Sequence, residues 1–359
     1  MTASGRSTAG PDCLRTARVG HSAVRLDDGR VLIVGGHDIQ RANLTAEVYD
    51  PGTKIVTAVA GGTPALGSTT TLLTGGDVLV VGGTTCSDYY KCPAVSTFEI
   101  FETRRLQFRS SQVHAAPRAG HTASAMRDGS VLLAGGWRDG NVPATAVEIY
   151  DSTADRTRAA PRMQVPRWGH SATVLRDGSL LVAGGMVSQW LKDTVNSAEI
   201  FDPVRGTWTL TSPMRMPRSG HRAVLLRDGR VLVVGGTDDR NPMAEVFDPV
   251  RRSWAAAPEP KAISSGFTLT EMSDGRILAS GGTPRMSAQM KSTSAIFHTP
   301  ASAAIEVYDA RREEWSVVAR LVDPREDHTA TLLRDGRVLI AGGYCYELGI
   351  LSAIEFIVP

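Results

Sequence analysis

The sequence predicts an all-β fold, a seven-bladed β-propeller with four antiparallel strands in each blade. Two observations carry this prediction. A Gly-Gly pair follows a short apolar run seven times, at intervals of 46 to 61 residues. A tight-turn signal precedes each apolar run, and it is Asp-Gly in six of the seven units. Units of four short strands that repeat about every 50 residues are typical of propeller blades. The seven pairs are Gly35-Gly36, Gly82-Gly83, Gly135-Gly136, Gly184-Gly185, Gly235-Gly236, Gly281-Gly282 and Gly342-Gly343.

Each unit is predicted to contain four strands. The first alternates in polarity, as in His170–Leu175, and ends at the Asp-Gly turn, where glycine supplies the positive φ of a two-residue hairpin. The second is a continuous apolar run such as Leu180–Ala183, which is typical of a strand buried on both faces. The third carries Glu, an aliphatic residue and an aromatic residue, as in Glu199–Phe201. The fourth carries an aromatic residue such as Trp208.

We expect a single propeller domain over residues 1–359. Its repeats span approximately 18–60, 66–110, 118–160, 167–212, 218–257, 264–319 and 325–359. The last unit stops after its third strand. Residues 1–17 are therefore predicted to supply the missing fourth strand, around Ser7–Thr16, and to close the ring. A closed ring leaves no open sheet edge.

Composition narrows the classes of partner. With 39 basic and 37 acidic residues the formal net charge is +2, which argues against a nucleic-acid partner because phosphate binding needs a concentrated basic face. Apolar runs such as Val31–Val34 fall far short of the roughly 18 residues that cross a bilayer, so no membrane partner is expected. Residues 1–17 lack the apolar stretch of a signal peptide. We expect a cytoplasmic monomer.

The repeat resembles a known family. The double glycine, the third-strand aromatic and the fourth-strand Trp (Trp208, Trp254 and Trp315) are similar to the kelch repeat of the galactose oxidase-like superfamily, over nearly the whole chain. In galactose oxidase-like enzymes a late-blade Tyr-His pair and a radical Tyr hold copper. Here Asp327 precedes His328, and His121 stands where the radical Tyr is expected. The resemblance therefore does not extend to copper, and we predict no metal and no cofactor.

Two repeated series of polar residues are expected to serve the scaffold. A Glu on the third strand occurs in every unit, and a catalytic acid would be needed in only one or two. We expect these glutamates to bond loop backbone, because a buried carboxylate must be satisfied. First-strand histidines are expected to be satisfied within their own blades, with a metal in the channel as the alternative. The glutamates are Glu47, Glu99, Glu148, Glu199, Glu245, Glu306 and Glu355, and the histidines are His21, His121, His170, His221 and His328.

An Arg-x-Gly-His motif supplies the candidate ligand-binding arginines. Strand direction places these arginines on the face that carries the loops after Gly-Gly, where guanidinium groups can clamp carboxylate or phosphate. The resemblance implies the same, since arginines at similar positions of a kelch adaptor contact an acidic peptide. The alternative is that they pair with scaffold acids. The predicted ligand-binding residues are Arg18, Arg118, Arg167, Arg218, Arg325, Trp137, Trp168, Tyr344 and Tyr346.

These residues favour a binding module that recognises an acidic peptide, a protein or a small anionic ligand at an arginine- and aromatic-rich channel mouth. The alternative is a small-molecule enzyme of the isomerase, cyclase, lyase or oxidoreductase type at the same mouth. Its acid–base candidates are His37, Asp38, Asp239, His328 and Tyr344. A third possibility is a purely structural scaffold. The 23-residue loop 283–305 is interpreted as a lid or partner contact, or as disordered.

Overall fold

The structure is a computed structural model that describes residues 7–37, 45–62, 65–85, 93–111, 113, 116–138, 142–188, 193–236, 244–284 and 300–358. It contains seven four-stranded antiparallel sheets. Across these ranges there is no helix, and hence none long and apolar enough to cross a membrane. The predicted seven-bladed, all-β propeller is confirmed.

In each blade the strands follow one another from the channel outward. The innermost strands are β2 (Ser22–Arg25), β6 (Thr69–Leu72), β10 (Thr122–Ala125), β16 (Ser171–Val174), β20 (Arg222–Leu225), β24 (Thr268–Glu271) and β28 (Thr329–Leu332). The second strands are β3 (Val31–Val34), β7 (Val78–Val81), β11 (Val131–Ala134), β17 (Leu180–Ala183), β21 (Val231–Val234), β25 (Ile277–Ser280) and β29 (Val338–Ala341). The third strands are β4 (Ala46–Asp50), β8 (Phe98–Glu102), β14 (Val147–Asp151), β18 (Ala198–Asp202), β22 (Ala244–Asp248), β26 (Ala304–Asp309) and β32 (Ala353–Ile357). The outermost strands are β5 (Ile55–Val59), β9 (Gln107–Ser110), β15 (Arg156–Ala160), β19 (Thr207–Leu210), β23 (Ser253–Ala256), β27 (Glu314–Arg320) and β1 (Ser7–Cys13). Two short ribbons, β12 (Trp137–Arg138) with β13 (Val142–Pro143) and β30 (Tyr344–Cys345) with β31 (Gly349–Ile350), lie in loops.

The ring closes through the N-terminal strand, as the sequence predicts. β1 pairs antiparallel with β32, so that Ser7 lies opposite Ile357 and Cys13 opposite Ala353. The innermost strands contact one another in ring order, and β28 contacts β2. The seventh blade is therefore built from both ends of the chain, and its outer edge is occupied by β1.

The hydrophobic core is divided into seven clusters, each shared by two neighbouring blades. Between the first two blades, for example, Leu32 and Val34 pack with Val78 and Val80, and none of the four is exposed. This explains why the second strands are continuous apolar runs, since each has a neighbouring blade on both faces. Each blade thus depends on its neighbours for its buried surface.

The fourth-strand tryptophans belong to this scaffold. Trp208 packs against Phe201 of the adjacent third strand with ring centroids 5.0 Å apart. Its indole Nε1 donates to the carbonyl oxygen of Pro161, on the connection from the preceding blade, at 2.8 Å. Trp315 repeats the arrangement against Tyr308 and Pro258.

The two faces of the propeller carry different connections. The Gly-Gly pairs and the Arg-x-Gly-His segments lie at one face, which we call the loop face. The Asp-Gly turns, and the turns between third and outermost strands, lie at the opposite face, which we call the turn face. Antiparallel strand order alone produces this division.

Candidate functional site

Five of the seven third-strand glutamates bind loop backbone, as the sequence predicts. Glu199 accepts hydrogen bonds from the amides of Gln164 (2.7 Å) and Val165 (3.1 Å), on the connection that enters its own blade. The carboxylate therefore fixes the path of the chain into the innermost strand. The same double acceptance is made by Glu47, Glu245, Glu306 and Glu355.

Each of the five motif arginines pairs with the third-strand glutamate of its own blade. Arg167 Nη2 lies 2.8 Å from Glu199 Oε1, and neither side chain is exposed. Arg167 Nη1 also donates to the carbonyl oxygens of Gly184 and Ser197. The other pairs are Arg18–Glu47, Arg118–Glu148, Arg218–Glu245 and Arg325–Glu355. The arrangement matches the alternative of pairing with scaffold acids. That the five bind ligand stays a prediction, and their burial argues against it.

The first-strand histidines link neighbouring blades. His170 Nε2 lies 3.0 Å from Thr122 Oγ1, and His221 Nε2 lies 2.8 Å from Ser171 Oγ, each hydroxyl belonging to the preceding blade. The expectation that each histidine is satisfied within its own blade is therefore wrong. The reason is that the hydroxyl follows the histidine position of the neighbouring innermost strand. His21, His121 and His328 bond across in the same way.

These imidazoles are buried and uncharged. Burial lowers the pKa of His170 to about 3, with the positive charge of Arg167 acting in the same direction. Burial likewise lowers the pKa of His21 to about 3. Within the described ranges, no group of three or more His, Cys, Asp or Glu side chains is placed to hold a metal ion. The buried His328, an acid–base candidate, is likewise a link between blades.

The chain of histidine–hydroxyl links is interrupted at two of the described junctions. Between the first and second blades Ser68 stands at the histidine position, and Ser22 Oγ donates to its carbonyl oxygen at 2.7 Å. The other interruption lies between the fifth and sixth blades. Phe267 occupies the histidine position and Arg222 occupies the hydroxyl position. Arg222 Nε donates to the carbonyl oxygen of Phe267 at 3.1 Å. Arg222 is exposed at the loop-face end of β20. The interruption therefore places a guanidinium group at the channel mouth.

A second departure from the repeat occurs in the seventh blade, at the residue that precedes the innermost strand. This residue has positive φ in all seven blades and is glycine in six of them: Gly20, Gly67, Gly120, Gly169, Gly220 and Gly266. In the seventh blade it is Asp327, with φ of 50°. The amide of Asp327 donates to the carbonyl of Gly266 (2.8 Å), and its own carbonyl accepts from Gly20 (3.1 Å). Asp327 thus keeps the glycine's backbone role and adds a carboxylate at the mouth.

Glu326 and Asp327 form a close acidic pair. A Cβ placed on Gly266 would lie 3.3 Å from Glu326 Oε2 and 3.7 Å from Asp327 Oδ1, so both carboxylates face the same glycine. Desolvation, followed by the negative charge of Asp327, raises the pKa of Glu326 to about 7. Desolvation also raises the pKa of Asp327, while the charges of Arg222 and His37 act in the opposite direction. The mouth therefore combines a guanidinium group with two neighbouring carboxyls whose pKa values are both raised.

Two of the predicted acid–base residues lie beside this pair. The backbone of Tyr344 forms a two-bond bridge with Glu326, each bond 2.9 Å. The charge of His37 reaches Asp327, and the His37 backbone bridges Val19. Both side chains are half-buried. The site therefore assembles from the first, fifth and seventh blades. Asp38 and Asp239 lie outside the described residues, as does most of loop 283–305.

The predicted aromatic residues divide into two groups. Trp137 and Trp168 are buried and meet edge to face, with ring centroids 4.8 Å apart. They form an apolar cluster with Ala94, Ala119 and Met186 beneath the loops of the second to fourth blades. Tyr346, by contrast, is 52% exposed. As ligand contacts all three stay predictions, and Tyr346 is the most accessible of them.

Arg222, Glu326 and Asp327 were not among the residues that the motif pointed to. The signal for them was present as departures from the repeat. Asp replaces glycine at a position that is glycine in the other six blades, and Phe267 replaces a histidine. Departures of this kind stand out only when the seven units are aligned with each other and the neighbouring blade is considered.

Comparison with known families agrees with this architecture. The family described as KLHDC2/KLHL20/DRC7 Kelch-repeats domain matches residues 67–282. The chain belongs to the kelch-repeat family. A kelch propeller is in general a protein- or ligand-binding module, and this description applies to the present chain. No curated protein matches the chain.

A solved structure shares the fold of this kelch propeller. It is described as "Novel fungal alcohol oxidase with catalytic diversity among the AA5 family, in complex with copper". The TM-score is 0.73 at 15% identity, over 100% of this chain and 76% of the oxidase chain. At this identity the likeness shows the fold alone.

Proposed function

We propose that this kelch propeller binds a small anionic ligand at the loop-face mouth of its channel, with Arg222 as the anion-binding group. The observation that carries the proposal is the exchange of a histidine–hydroxyl link for Phe267 and Arg222. The hydrogen bond between histidine and hydroxyl that joins other neighbouring blades is absent there, and an exposed guanidinium group occupies the hydroxyl position. Guanidinium groups bind carboxylate and phosphate through paired hydrogen bonds.

The acidic pair, Glu326 and Asp327, indicates which other group the ligand carries beside its anionic group. A fully ionised pair beside Arg222 would repel an anion, but Glu326 with a pKa of about 7 is largely protonated below neutrality. A protonated carboxyl donates a hydrogen bond, and an ionised one accepts it. We therefore propose a ligand that places its anionic group on Arg222 and a hydroxyl or amino group on Glu326 and Asp327.

An extended acidic peptide is less well supported than a small ligand. Such a peptide would draw on the five motif arginines, whose guanidinium groups are buried against glutamates. Arg222 provides one exposed cation, and the acidic pair lies directly beside it. A compact ligand satisfies this mixed site with one anionic group.

The test is a thermal-shift screen of small carboxylates and phosphates, with the dissociation constant of each hit measured by calorimetry. We expect hits to lose at least about tenfold in affinity in Arg222→Gln, the loss of one charge-assisted contact. Arg138→Gln is the matched control, since Arg138 is also exposed on the loop face. Equal loss in both variants, or no loss in Arg222→Gln, would refute the site.

A second candidate function is acid–base catalysis at the same mouth. It is favoured by the closeness of Glu326 to Asp327 and by the raised pKa of Glu326, since an acid that titrates near neutrality can both give and take a proton. Tyr344 and His37 lie beside the pair. For a hit that is turned over, Glu326→Gln is expected to keep binding and lose turnover. A variant that keeps full turnover would exclude Glu326 from the chemistry.

A further inference from the structure

Arginines from four of the seven blades lie near the other end of the channel, at the turn face. In four blades the second residue after the innermost strand is arginine: Arg127, Arg176, Arg227 and Arg334. All four are exposed. We call these four residues the arginine rim. They belong to the third, fourth, fifth and seventh blades, so they lie on both sides of the channel mouth.

The rim arginines are held in a common orientation. Arg127 Nη2 donates to the carbonyl oxygen of Arg176, and Arg176 Nη2 donates to that of Arg227. Arg227 and Arg334 reach Ser273 and Asp27 in the same way, each the equivalent residue of the next blade. The guanidinium groups of the third to fifth blades thus run head to tail, and Arg334 of the seventh blade makes the same kind of contact separately.

The aliphatic part of each rim side chain lies over a turn glycine of the next blade. The Cδ of Arg127 is 3.2 Å from where a Cβ on Gly178 would be, and Arg176 stands likewise over Gly229. Only glycine leaves this space free. Less side-chain entropy is then lost when a ligand binds, because the donors are already positioned.

Three of the four rim arginines have no carboxylate partner. Within the described ranges, Arg227 pairs with Glu271 at 3.3 Å, whereas no ion pair involves Arg127, Arg176 or Arg334. The neighbouring turn carboxylates are engaged in their own turns. Asp177, for example, accepts from the amide and hydroxyl of Ser179. The rim side chains are exposed, and the charges of Arg127 and Arg334 act on the nearby carboxyls of Asp177 and Asp28 without forming an ion pair.

We propose that the arginine rim is a second binding site, for a compact polyanion that carries several phosphate groups and sits across the turn-face mouth of the channel. Several preoriented guanidinium groups around one opening match several phosphates on one small molecule. Arg25 adds to the same mouth, at the end of β2, with Nη1 on the carbonyl of Leu332 at 2.8 Å.

The charges around the rim favour a compact ligand over a nucleic acid. Each rim arginine is followed directly by the aspartate of an Asp-Gly turn, namely Asp128, Asp177, Asp228 and Asp335. A polymer wide enough to cover the face would meet these carboxylates. A small ligand centred on the channel meets the guanidinium groups first.

Inorganic triphosphate is the probe, titrated into the full chain by calorimetry at low and raised ionic strength. We expect one molecule bound per chain, with affinity falling as salt rises. Arg127→Gln/Arg176→Gln/Arg334→Gln is expected to abolish the heat signal. The matched control is Arg105→Gln/Arg205→Gln/Arg251→Gln, which removes three exposed arginines from outer turns of the same face. It is expected to leave binding within about twofold.

Further variants keep the result decisive. If the triple variant fails to fold, each single variant is measured with its melting temperature, and each is expected to bind triphosphate about tenfold more weakly. In Arg222→Gln, the triphosphate binding that depends on Arg127, Arg176 and Arg334 is expected to persist, which separates this site from the loop-face site. Absence of triphosphate binding, equal weakening in the outer-turn control, or rim-dependent binding of a single-stranded oligonucleotide alone would overturn the proposal.

Discussion

Arg167 and Glu199 form an ion pair that is enclosed entirely within the fourth blade. The two side chains meet at 2.8 Å with no exposed surface, and Glu199 also accepts two backbone amides. The pair thus joins the third strand to the connection that leads into the innermost strand. Removing one partner from such a pair leaves a buried charge without compensation.

We expect Arg167→Met to lower the free energy of unfolding by about 3–5 kcal/mol, because Glu199 would remain buried and charged. Urea denaturation measures this change. Arg205→Met is the control, since its pair with Asp202 is exposed and solvent screening leaves such pairs little effect on stability. A loss of stability in Arg167→Met no larger than in the control would mean that the guanidinium group is not structural.

The buried histidines predict a loss of stability in acid. The folded pKa of His21 and His170 is about 3, below the unfolded value of about 6.5. The unfolded state therefore binds more protons between these values, and stability falls as pH decreases from about 6.5 toward 3. Urea midpoints across this range measure the effect. His170→Gln is expected to make the decline shallower. An unchanged slope would show that His170 is already protonated in the fold.

Asp327→Gly is expected to stabilise the fold by about 1 kcal/mol, because glycine adopts φ of 50° without steric cost. Asp327→Asn keeps the side chain's steric demand and is expected to leave stability nearly unchanged. Both variants are expected to weaken ligand binding at the loop-face mouth. The measurement is urea denaturation of all three proteins side by side. A glycine variant less stable than wild type would show that the Asp327 side chain stabilises the fold.

The exchange of Phe267 and Arg222 for a histidine–hydroxyl link is testable by a double-mutant cycle. Phe267→His alone buries an imidazole with no hydroxyl to meet, at a cost of about 1–3 kcal/mol. Adding Arg222→Ser supplies that hydroxyl, as Ser171 does for His221. We expect a favourable coupling of about 1 kcal/mol from the free energies of unfolding. Strict additivity would mean that the two positions do not communicate.

The titration of Glu326 is expected to depend on Asp327. Carboxyl NMR of the wild type should give Glu326 a pKa of about 7. Asp327→Asn removes the neighbouring negative charge and should lower that pKa, although desolvation keeps it above the usual range. Arg222→Gln should raise the pKa of Asp327, because a favourable positive charge is lost. If the pKa of Glu326 or of Asp327 does not change in these variants, the three side chains do not lie close enough to interact.

Much of the fold could be predicted because it repeats. The Gly-Gly pairs, the Asp-Gly turns and the buried runs such as Leu180–Ala183 each have a local cause, and seven copies make the pattern unmistakable. Even the closing strand was predictable, since the last unit lacks its fourth strand and an open edge is unfavourable. The role of the third-strand glutamates followed from their presence in every blade.

The site was harder to predict because its contacts cross between blades. The sequence predicts Arg167 as a ligand-binding residue, but in the fold it pairs with Glu199, which is 32 residues away in the chain. The sequence predicts that His170 is hydrogen-bonded within its own blade, but in the fold its partner is Thr122 of the preceding blade. Asp327 was not predicted as a binding residue because it occupies a position that has a backbone role in the other six blades, where it is glycine. Contacts of this kind depend on the relative height of neighbouring strands, which composition and spacing within one unit do not specify.

The pairing of β1 with β32 also has a mechanical consequence. Ser7 lies opposite Ile357, so the two chain ends leave the closing blade at the same end of that strand pair. Tension applied between them would part the ladder one hydrogen bond at a time, as a zipper opens, instead of shearing all bonds together. Tension between Ser7 and Ile357 therefore loads the closing strand pair in the direction in which its hydrogen bonds break one after another.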